Sequence, residues 1–273
     1  MDRLTAPLAT LLTCAALPAF AACGSEPYCE FDGGRYQIAL PDPQEGKIPA
    51  VMFLHGHGGT SDGVLKMQEM VQSFTKAGYA VIAPDGMPRP NGPQSWSFRE
   101  GSSSRDDFAF LPAVLADAGA RFNLDTEHSV LAGFSAGAFM VNYLACKEPE
   151  AFAAYLPISG GFWRPQPESC AGPVRMYHSH GWSDETVPLE GRMLGQGRFI
   201  QGDIWAGLEL WRETFACDTP APNRIWRQED LMLREWSCGE GSLRFELFPG
   251  GHKVPNGWAD RVLEWLAPQK LKG

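Results

Sequence analysis

The sequence has little clustered positive charge. Lys and Arg together number 23 against 32 Asp and Glu, which gives a formal net charge of −9. Affinity for nucleic acid comes mainly from clustered Lys and Arg, and no Lys/Arg-rich run offsets the acidic balance locally. We therefore expect no nucleic-acid partner. The hydrophobic fraction of 44% and the charged fraction of 20% are those of a globular protein and exclude disordered and fibrous classes.

Long apolar runs are also missing. The stretch from Leu8 to Leu17 is too short to span a bilayer well. It follows the single basic residue Arg3 and precedes the small-x-small segment Ala19-Phe20-Ala21, a pattern typical of a secretory signal peptide over residues 1–22. We expect a secreted or periplasmic protein with no stable membrane insertion after signal cleavage. Because no internal repeat or Thr/Pro-rich linker divides the rest, residues 23–273 are predicted to form one domain.

The motif C-x-x-C is absent, which argues against a cysteine zinc site. Removal of a signal peptide containing Cys14 would leave six cysteines, an even number that fits three disulfides in an oxidising compartment. The predicted pairs are Cys217 with Cys238, Cys146 with Cys170, and Cys23 with Cys29, the last by elimination. A lipidated Cys23 is the alternative, but it would leave Cys29 without a partner.

Apolar patterning indicates strands that alternate with helices. Such alternation predicts an α/β class protein with the α/β-hydrolase fold, a mostly parallel central sheet covered by helices on both faces. The predicted strands are Tyr36–Leu40, Ala50–Leu54, Tyr79–Ala83, Val130–Ala132, Val174–Tyr177 and Leu243–Phe248. The predicted helices lie at Val64–Phe74, Phe108–Phe122, Ala136–Cys146, Ile204–Phe215 and Val262–Leu266.

The segment Gly133-Phe134-Ser135-Ala136-Gly137 has the form G-x-S-x-G. The bare pattern is weak evidence, but here an apolar strand precedes it and a helical segment follows it. That is the setting of a nucleophile elbow, in which a tight turn exposes the serine hydroxyl. Ser135 is the predicted nucleophile, and a helix-capping serine between incidental glycines is the alternative interpretation.

A serine nucleophile needs a base and an acid, which follow it in the chain in elbow enzymes. His252 lies on a loop between a late strand and the last helix and is the predicted base, whereas His178 and His180 belong to or follow a strand. Asp184 is the predicted acid. Its neighbour Glu185 remains an alternative, and Asp203 is a weaker one because it resembles a helix cap.

The glycine-rich turn His55-Gly56-His57-Gly58-Gly59 follows the strand Ala50–Leu54. Such turns present backbone N–H groups to an oxyanion. We expect the N–H groups of His57 and Ala136 to form the oxyanion hole, with Gly56 as the second choice for the turn. The pairs His55/His57 and His178/His180 lack a clearly placed third ligand, so neither a metal nor a cofactor is expected.

Four aromatic residues occupy predicted loops near the proposed triad. Trp96, Phe98, Trp163 and Trp182 all lie on loops that leave strands. Large rings can hold a short ester chain or a phenolic ring. We expect Trp96, Trp163 and Trp182 to bind substrate, while packing within the loops is the alternative for any one of them.

The chain resembles the secreted polyhydroxybutyrate depolymerase and feruloyl esterase group of α/β-hydrolases. The resemblance runs from about Tyr36 to the end of the chain. The matching segments are Leu54-His55-Gly56-His57-Gly58-Gly59, Ala83-Pro84-Asp85-Gly86, Asp106-Asp107-Phe108, Gly133-Phe134-Ser135-Ala136-Gly137, Phe152-Ala153-Ala154, His180-Gly181-Trp182-Ser183-Asp184 and Gly250-Gly251-His252.

This resemblance implies an exported serine esterase with Ser135 as nucleophile, Asp184 as acid and His252 as base. It implies polyhydroxyalkanoate esters or oligomers, polyhydroxybutyrate first, as substrates. Feruloyl or acetyl-xylan esters are the alternative within the same chemistry, and a non-catalytic binding protein of the same fold is the alternative of a different class. Two departures are visible: Ala138 stands where relatives often have a third glycine, and Lys253-Val254-Pro255 replaces the frequent Thr-Trp-Pro.

Overall fold

Six parallel strands form the centre of a ten-stranded sheet. The computed structural model describes residues 23, 27–89, 92–98, 105–239 and 241–267, so the predicted signal peptide lies outside the described residues. The strands are β1 (Cys29–Phe31), β2 (Gly34–Ala39), β3 (Ile48–Leu54), β4 (Ala80–Pro84), β5 (Met87–Arg89), β6 (Gly92–Ser95), β7 (Leu124–Phe134), β8 (Ala154–Ile158), β9 (Arg175–Gly181), β10 (Arg192–Leu194), β11 (Phe199–Gln201), β12 (Arg224–Gln228), β13 (Leu231–Cys238) and β14 (Gly241–Phe248).

The strand order in the main sheet is β1-β2-β4-β3-β7-β8-β9-β14-β13-β12. The strands from β4 to β14 in this order are parallel, and antiparallel strands flank them at both edges. Two short hairpins, β5–β6 and β10–β11, stand apart from the main sheet. The predicted mostly parallel sheet is confirmed.

Six helices are described: α1 (Ser61–Leu65), α2 (Gln68–Lys76), α3 (Asp107–Phe122), α4 (Ala136–Lys147), α5 (Ile204–Thr214) and α6 (Trp258–Leu266). A short 3-10 turn also occurs at Pro149–Ala151. Helices α3, α4 and α5 supply one buried cluster, around Phe110, Phe139 and Trp211. Helices α1, α2 and α6 supply a second cluster that includes Phe74 and Trp258. The sheet is therefore covered by helices on both faces, as the sequence predicts, because each face of a parallel sheet needs its own apolar cover.

The predicted helix over Val64–Phe74 is wrong as a single element. Thr60 caps α1 through a bond from the Gly63 N–H, but Met67 has ψ 69°, which is not helical, and a new helix starts at Gln68. The apolar residues still recur every three or four positions because both helices pack the same sheet face. The spacing therefore indicates the buried side and does not show that the helix is continuous.

All three predicted disulfides are present. Cys146 at the end of α4 bonds Cys170, Cys217 after α5 bonds Cys238 at the end of β13, and Cys23 bonds Cys29 at the start of β1. The bond between Cys23 and Cys29 favours a disulfide at Cys23 over lipidation of that cysteine. Among the described residues, no helix is long and apolar enough to cross a membrane.

Candidate active site

The predicted triad residues meet at the carboxyl edge of the sheet. Ser135 follows β7, Asp184 lies three residues after β9, and His252 lies four residues after β14. The three strands are parallel to one another through β8, so their carboxyl ends lie along one edge. Residues far apart in the chain are thus brought together by topology.

Ser135 occupies a strained turn. Its φ of 55° and ψ of −116° are unfavourable for a residue with a side chain, and it directly precedes α4. The flanking glycines allow the turn to close: a Cβ on Gly133 would lie 2.6 Å from the backbone carbonyl of Gly137, and one on Gly137 would overlap the carbonyl of Leu54. The G-x-S-x-G segment therefore has the geometry of an elbow that lifts the hydroxyl above the sheet edge.

The three polar side chains form a hydrogen-bonded chain. The Oγ of Ser135 lies 2.8 Å from Nε2 of His252, and Nδ1 of His252 lies 2.7 Å from Oδ2 of Asp184. Because a carboxylate only accepts, Nδ1 of His252 carries the proton, and Nε2 is left to accept from the serine hydroxyl. This tautomer is the one that general-base chemistry at Ser135 requires.

Asp184 is buried, and both of its carboxylate oxygens accept hydrogen bonds. Its Oδ1 accepts from the backbone N–H groups of Thr186 at 2.9 Å and Val187 at 2.8 Å. Burial by itself would raise the pKa of Asp184, but the hydrogen bonds from His252 and from the Val187 N–H outweigh it and lower that pKa. The neighbouring Glu185 is exposed, and Asp203 caps α5 through the N–H groups of Trp205 and Ala206. The structure therefore brings Asp184 to His252 and places Asp203 elsewhere.

Phe134 is a contact that sequence reasoning missed. Its ring packs against the imidazole of His252 with centroids 4.7 Å apart and planes tilted by 41°. Phe134 is the first variable residue of G-x-S-x-G, and the motif alone carries no signal for this role.

The glycine-rich turn lies against the serine. A Cβ on Gly56 would stand 3.3 Å from the Cβ of Ser135. The Gly56 carbonyl accepts from Nδ1 of His55 at 2.7 Å and from the Gly59 N–H at 2.9 Å. In a trans peptide the N–H points opposite to the carbonyl, so the His57 N–H is directed away from these two donors. The first N–H groups of α4, that of Ala136 among them, lack partners within their helix.

His55 holds this turn. Its Nε2 accepts from the Gly86 N–H at 2.9 Å, which leaves Nδ1 as the donor to Gly56. Burial lowers the pKa of His55, although the bond to Gly56 opposes the shift. Both ring nitrogens are thus used within the protein. Nε2 of His178 and Nδ1 of His180 lie 3.3 Å apart in a hydrogen bond, and no group of three potential metal ligands occurs among the described residues.

The predicted aromatic residues differ in exposure. Trp96 is only 1% exposed, and its indole N–H donates to the His55 carbonyl at 2.8 Å. The expectation that Trp96 contacts substrate is therefore wrong for this structure, because its ring is enclosed beneath the glycine-rich turn. Trp182 is 61% exposed, whereas Trp163 is half-buried and Phe98 is buried.

Trp163 belongs to an aromatic wall, which we define as Phe98, Phe139, Tyr143, Trp163 and Phe199. Phe98 stacks on Phe139 and Tyr143, and its ring centroid lies 6.4 Å from that of Trp163. Phe139 lies one helical turn after Ser135, since its N–H donates to the Ser135 carbonyl at 3.1 Å. Phe199 on β11 meets Trp163 edge to face with centroids 6.5 Å apart and is 43% exposed. The wall thus leads from the turn after Ser135 to the surface.

The chain is similar in sequence to known esterases. The chain matches the family model "Esterase: Putative esterase" over residues 34–186. "Probable feruloyl esterase C" of Aspergillus niger is 26% identical over 193 residues, which cover 65% of this chain and 67% of the relative. "Feruloyl esterase D" of Neurospora crassa is 29% identical over 235 residues, which cover 74% and 76%.

A solved acetyl xylan esterase from Aspergillus awamori is similar in fold. Its TM-score is 0.64 at 18% identity, and the match covers 86% of this chain and 94% of that one. A likeness at this identity supports the α/β-hydrolase fold alone. The family model matches more than half of the chain, so the protein belongs to the Esterase family of α/β-hydrolases and is a carboxylic ester hydrolase.

Proposed function

We propose that the protein is an exported serine esterase that works through an acyl-enzyme. The observation that carries this proposal is the continuous chain from Ser135 Oγ to His252 and on to the buried Asp184, with distances of 2.8 and 2.7 Å. A nucleophile, a base and an acid at hydrogen-bond distance are what acyl transfer from an ester requires.

In the first step His252 Nε2 takes the proton of Ser135 while Oγ attacks the ester carbonyl carbon. The tetrahedral intermediate collapses as Nε2 returns that proton to the leaving alkoxide, which departs as the alcohol. Asp184 stays ionised and stabilises the imidazolium formed in between. In the second step water attacks the acyl carbonyl carbon while His252 Nε2 takes its proton. The Ser135 Oγ then leaves, takes that proton back from Nε2, and the carboxylic acid is released.

The negative oxygen of the intermediate needs donors that are already in place. We assign them to the N–H groups of His57 and Ala136. Ala136 starts α4, whose amino-terminal end favours negative charge. The orientation of the Gly56–His57 peptide, set by the two donors on the Gly56 carbonyl, supports the choice of His57. Preorganised donors of this kind are each worth about 10²–10³-fold in turnover.

We propose that the acyl group rests on the aromatic wall, with feruloyl-type esters as the first substrate class. Two feruloyl esterase relatives and the partly exposed Trp163 and Phe199 support this choice. An aromatic acyl group gains stacking in addition to apolar burial. The exposed Trp182, two residues before Asp184, is proposed to contact the substrate at the rim. The motif resemblance favours hydroxybutyrate oligomers as a second candidate, and acetyl-xylan esters belong to the same chemistry.

The disulfides support export. Disulfides form and persist in oxidising compartments and are rare in the cytosol, so three of them fit the proposed signal peptide and a secreted or periplasmic location.

The test uses Ser135→Ala and the wild type. Triad removal costs on the order of 10⁶ in turnover in a comparable serine hydrolase, so the variant is expected to lose nearly all hydrolysis and all labelling by a fluorophosphonate while keeping its thermal unfolding midpoint. Methyl ferulate, acetylated xylan and hydroxybutyrate oligomers would be compared at equal ester-bond concentration. Activity of Ser135→Ala within tenfold of wild type would overturn the mechanism.

A further inference from the structure

His178 and His180 form a buried pair beside the acid. Both lie on β9, two residues apart and therefore on the same face of the strand. They are 2% and 0% exposed, and the Nε2 of His178 lies 3.3 Å from Nδ1 of His180. Two histidines so deeply enclosed need partners for their ring nitrogens.

The hydrogen bond of His180 to the backbone fixes its tautomer. Its Nε2 lies 2.8 Å from the carbonyl oxygen of Val187. A carbonyl only accepts, so Nε2 carries a proton. Burial lowers the pKa of both rings, which are therefore neutral, and Nδ1 of His180 accepts from the Nε2–H of His178. His178 therefore donates to His180, and His180 donates to the Val187 carbonyl.

Val187 connects this chain to Asp184. Its N–H donates to Oδ1 of Asp184 at 2.8 Å, while its carbonyl receives His180. The other carboxylate oxygen, Oδ2, receives His252 at 2.7 Å and lies 3.8 Å from Nε2 of His180. At 3.8 Å His180 makes no hydrogen bond to the carboxylate, so the hydrogen-bonded connection between His180 and Asp184 runs through the Val187 backbone.

We propose that His180 is a positioning residue that keeps Asp184 aligned with His252 by holding the carbonyl of Val187. The proposal rests on the proposed serine mechanism. Without the His180 bond, the Val187 carbonyl loses the side-chain donor that the structure describes for it, and Arg192 holds the 184–187 turn only at the Glu185 carbonyl, 3.0 Å from Nη1. The N–H donors that orient Oδ1 then shift with the turn. A displacement of about 1 Å in such a group costs on the order of 10² in rate.

Two polar replacements separate positioning from folding. Gln can place an amide N–H near the position of the His Nε2, whereas the shorter Asn cannot reach Val187. We expect His180→Asn to lower kcat about 100-fold with KM within twofold of wild type, and His180→Gln to stay within about fivefold in kcat. Met176→Ala is the matched control, since Met176 is fully buried on the same face of β9 and lies four residues from His180. It should lower the unfolding midpoint and leave kcat within twofold.

The double variant His180→Asn/Asp184→Asn gives the decisive comparison. A residue that acts only through Asp184 should add no more than a twofold loss once that carboxylate is gone. A kcat of His180→Asn within threefold of wild type, or a loss that multiplies with that of Asp184→Asn, would overturn the positioning role. If Asp184→Asn itself kept wild-type activity, the proposed triad would fail instead, so the two failures are distinguishable.

Discussion

Phe134 and His252 lie ring against ring, with centroids 4.7 Å apart, at the point where the nucleophile strand meets the loop of the proposed base. The ring of Phe134 therefore limits how far the imidazole can turn away from Ser135. Any residue type satisfies the G-x-S-x-G pattern at position 134, but in this protein Phe134 contacts the imidazole of His252.

Removal of the Phe134 ring is expected to loosen the base. Phe134→Ala should lower kcat about tenfold, equivalent to ~1.4 kcal/mol, because the imidazole loses an aromatic contact worth about 0.5–1.5 kcal/mol beyond its buried area. Phe134→Tyr keeps the ring and is the control, expected within twofold. Steady-state kinetics on one small ester measures both variants, and equal kcat values for Ala and Tyr would contradict the prediction.

The choice of acid can be tested with two neighbouring carboxylates. Asp184→Asn should lower kcat by about 10⁴, because an amide donates to Nδ1 and enforces the wrong imidazole tautomer. Glu185→Gln should leave kcat within threefold, since Glu185 is exposed and its carboxylate makes none of the described bonds to His252. Both are measured as kcat with circular dichroism as a check on folding. The reverse order of effects would show that Glu185 is the acid.

The aromatic wall predicts a substrate-dependent effect. Trp163→Ala should lower kcat/KM for methyl ferulate about 10-fold or more. It should change kcat/KM for a small acetyl ester less than threefold, because only the aromatic acyl group reaches the ring.

Trp182→Ala should raise KM without lowering the unfolding midpoint, since the side chain is mostly exposed.

Trp96→Ala is the matched comparison for the wall. Because the Trp96 ring is buried, its removal should lower the free energy of unfolding by about 3–5 kcal/mol. Any change in kcat/KM should be the same for all esters. A Trp163→Ala variant that lost activity equally on both esters would instead resemble Trp96→Ala, and the wall would then have no role in selectivity.

The Cys146–Cys170 disulfide should stabilise the nucleophile helix. It closes a loop with a sequence separation of 24, for which the chain-entropy model gives about 3.5 kcal/mol. The double variant Cys146→Ala/Cys170→Ser should lower the free energy of unfolding in urea by that amount. A loss under about 1 kcal/mol would mean that packing at the end of α4 holds this region without the bond.

Three buried histidines predict a loss of stability in acid. Burial lowers the pKa values of His55, His178 and His180 below the ordinary value, while the unfolded chain keeps that value near 6.5. Below about pH 6.5 the unfolded chain binds more protons than the folded protein, so the free energy of unfolding falls as pH falls. Each histidine contributes a slope of up to about 1.4 kcal/mol per pH unit until its folded pKa is reached.

Urea unfolding at pH 7 and pH 5.5 measures this slope. His178→Phe should reduce it, because one of the three titrating groups is removed. Met176→Ala is the control, since Met176 is buried on the same strand as His178 and carries no titrating group, so the slope should stay unchanged. An unchanged slope in His178→Phe would contradict the assignment of that ring as neutral in the fold.

Local sequence patterns were sufficient for much of this fold. Ser135 and its glycines, the cap at Asp203, and the alternation of strands with helices all depend on neighbouring residues. The pairing of six cysteines also followed from their number and from the elements they join. The elbow and the helix cap are encoded within a few residues, where the backbone geometry dictates the residue type.

Other elements could not be predicted in this way. The buried strand β8 contains Pro157, and a proline within a segment argues against a central strand. The β12–β13 hairpin carries Arg224, Arg227 and Arg234 among its apolar residues, so its sequence lacks a clear strand pattern. Their strand structure depends on the partners that pair with them across the sheet. The break at Met67 between α1 and α2 was also hidden by an uninterrupted apolar spacing.

The sequence by itself determined which residue types could form a triad and in what order along the chain. Only the tertiary structure decided that Trp96 is enclosed, that Phe134 meets His252, and that His180 reaches Val187. These contacts join separate strands and loops at the carboxyl edge of the sheet. Their distances follow from strand order and register, which emerge only when the whole sheet is assembled.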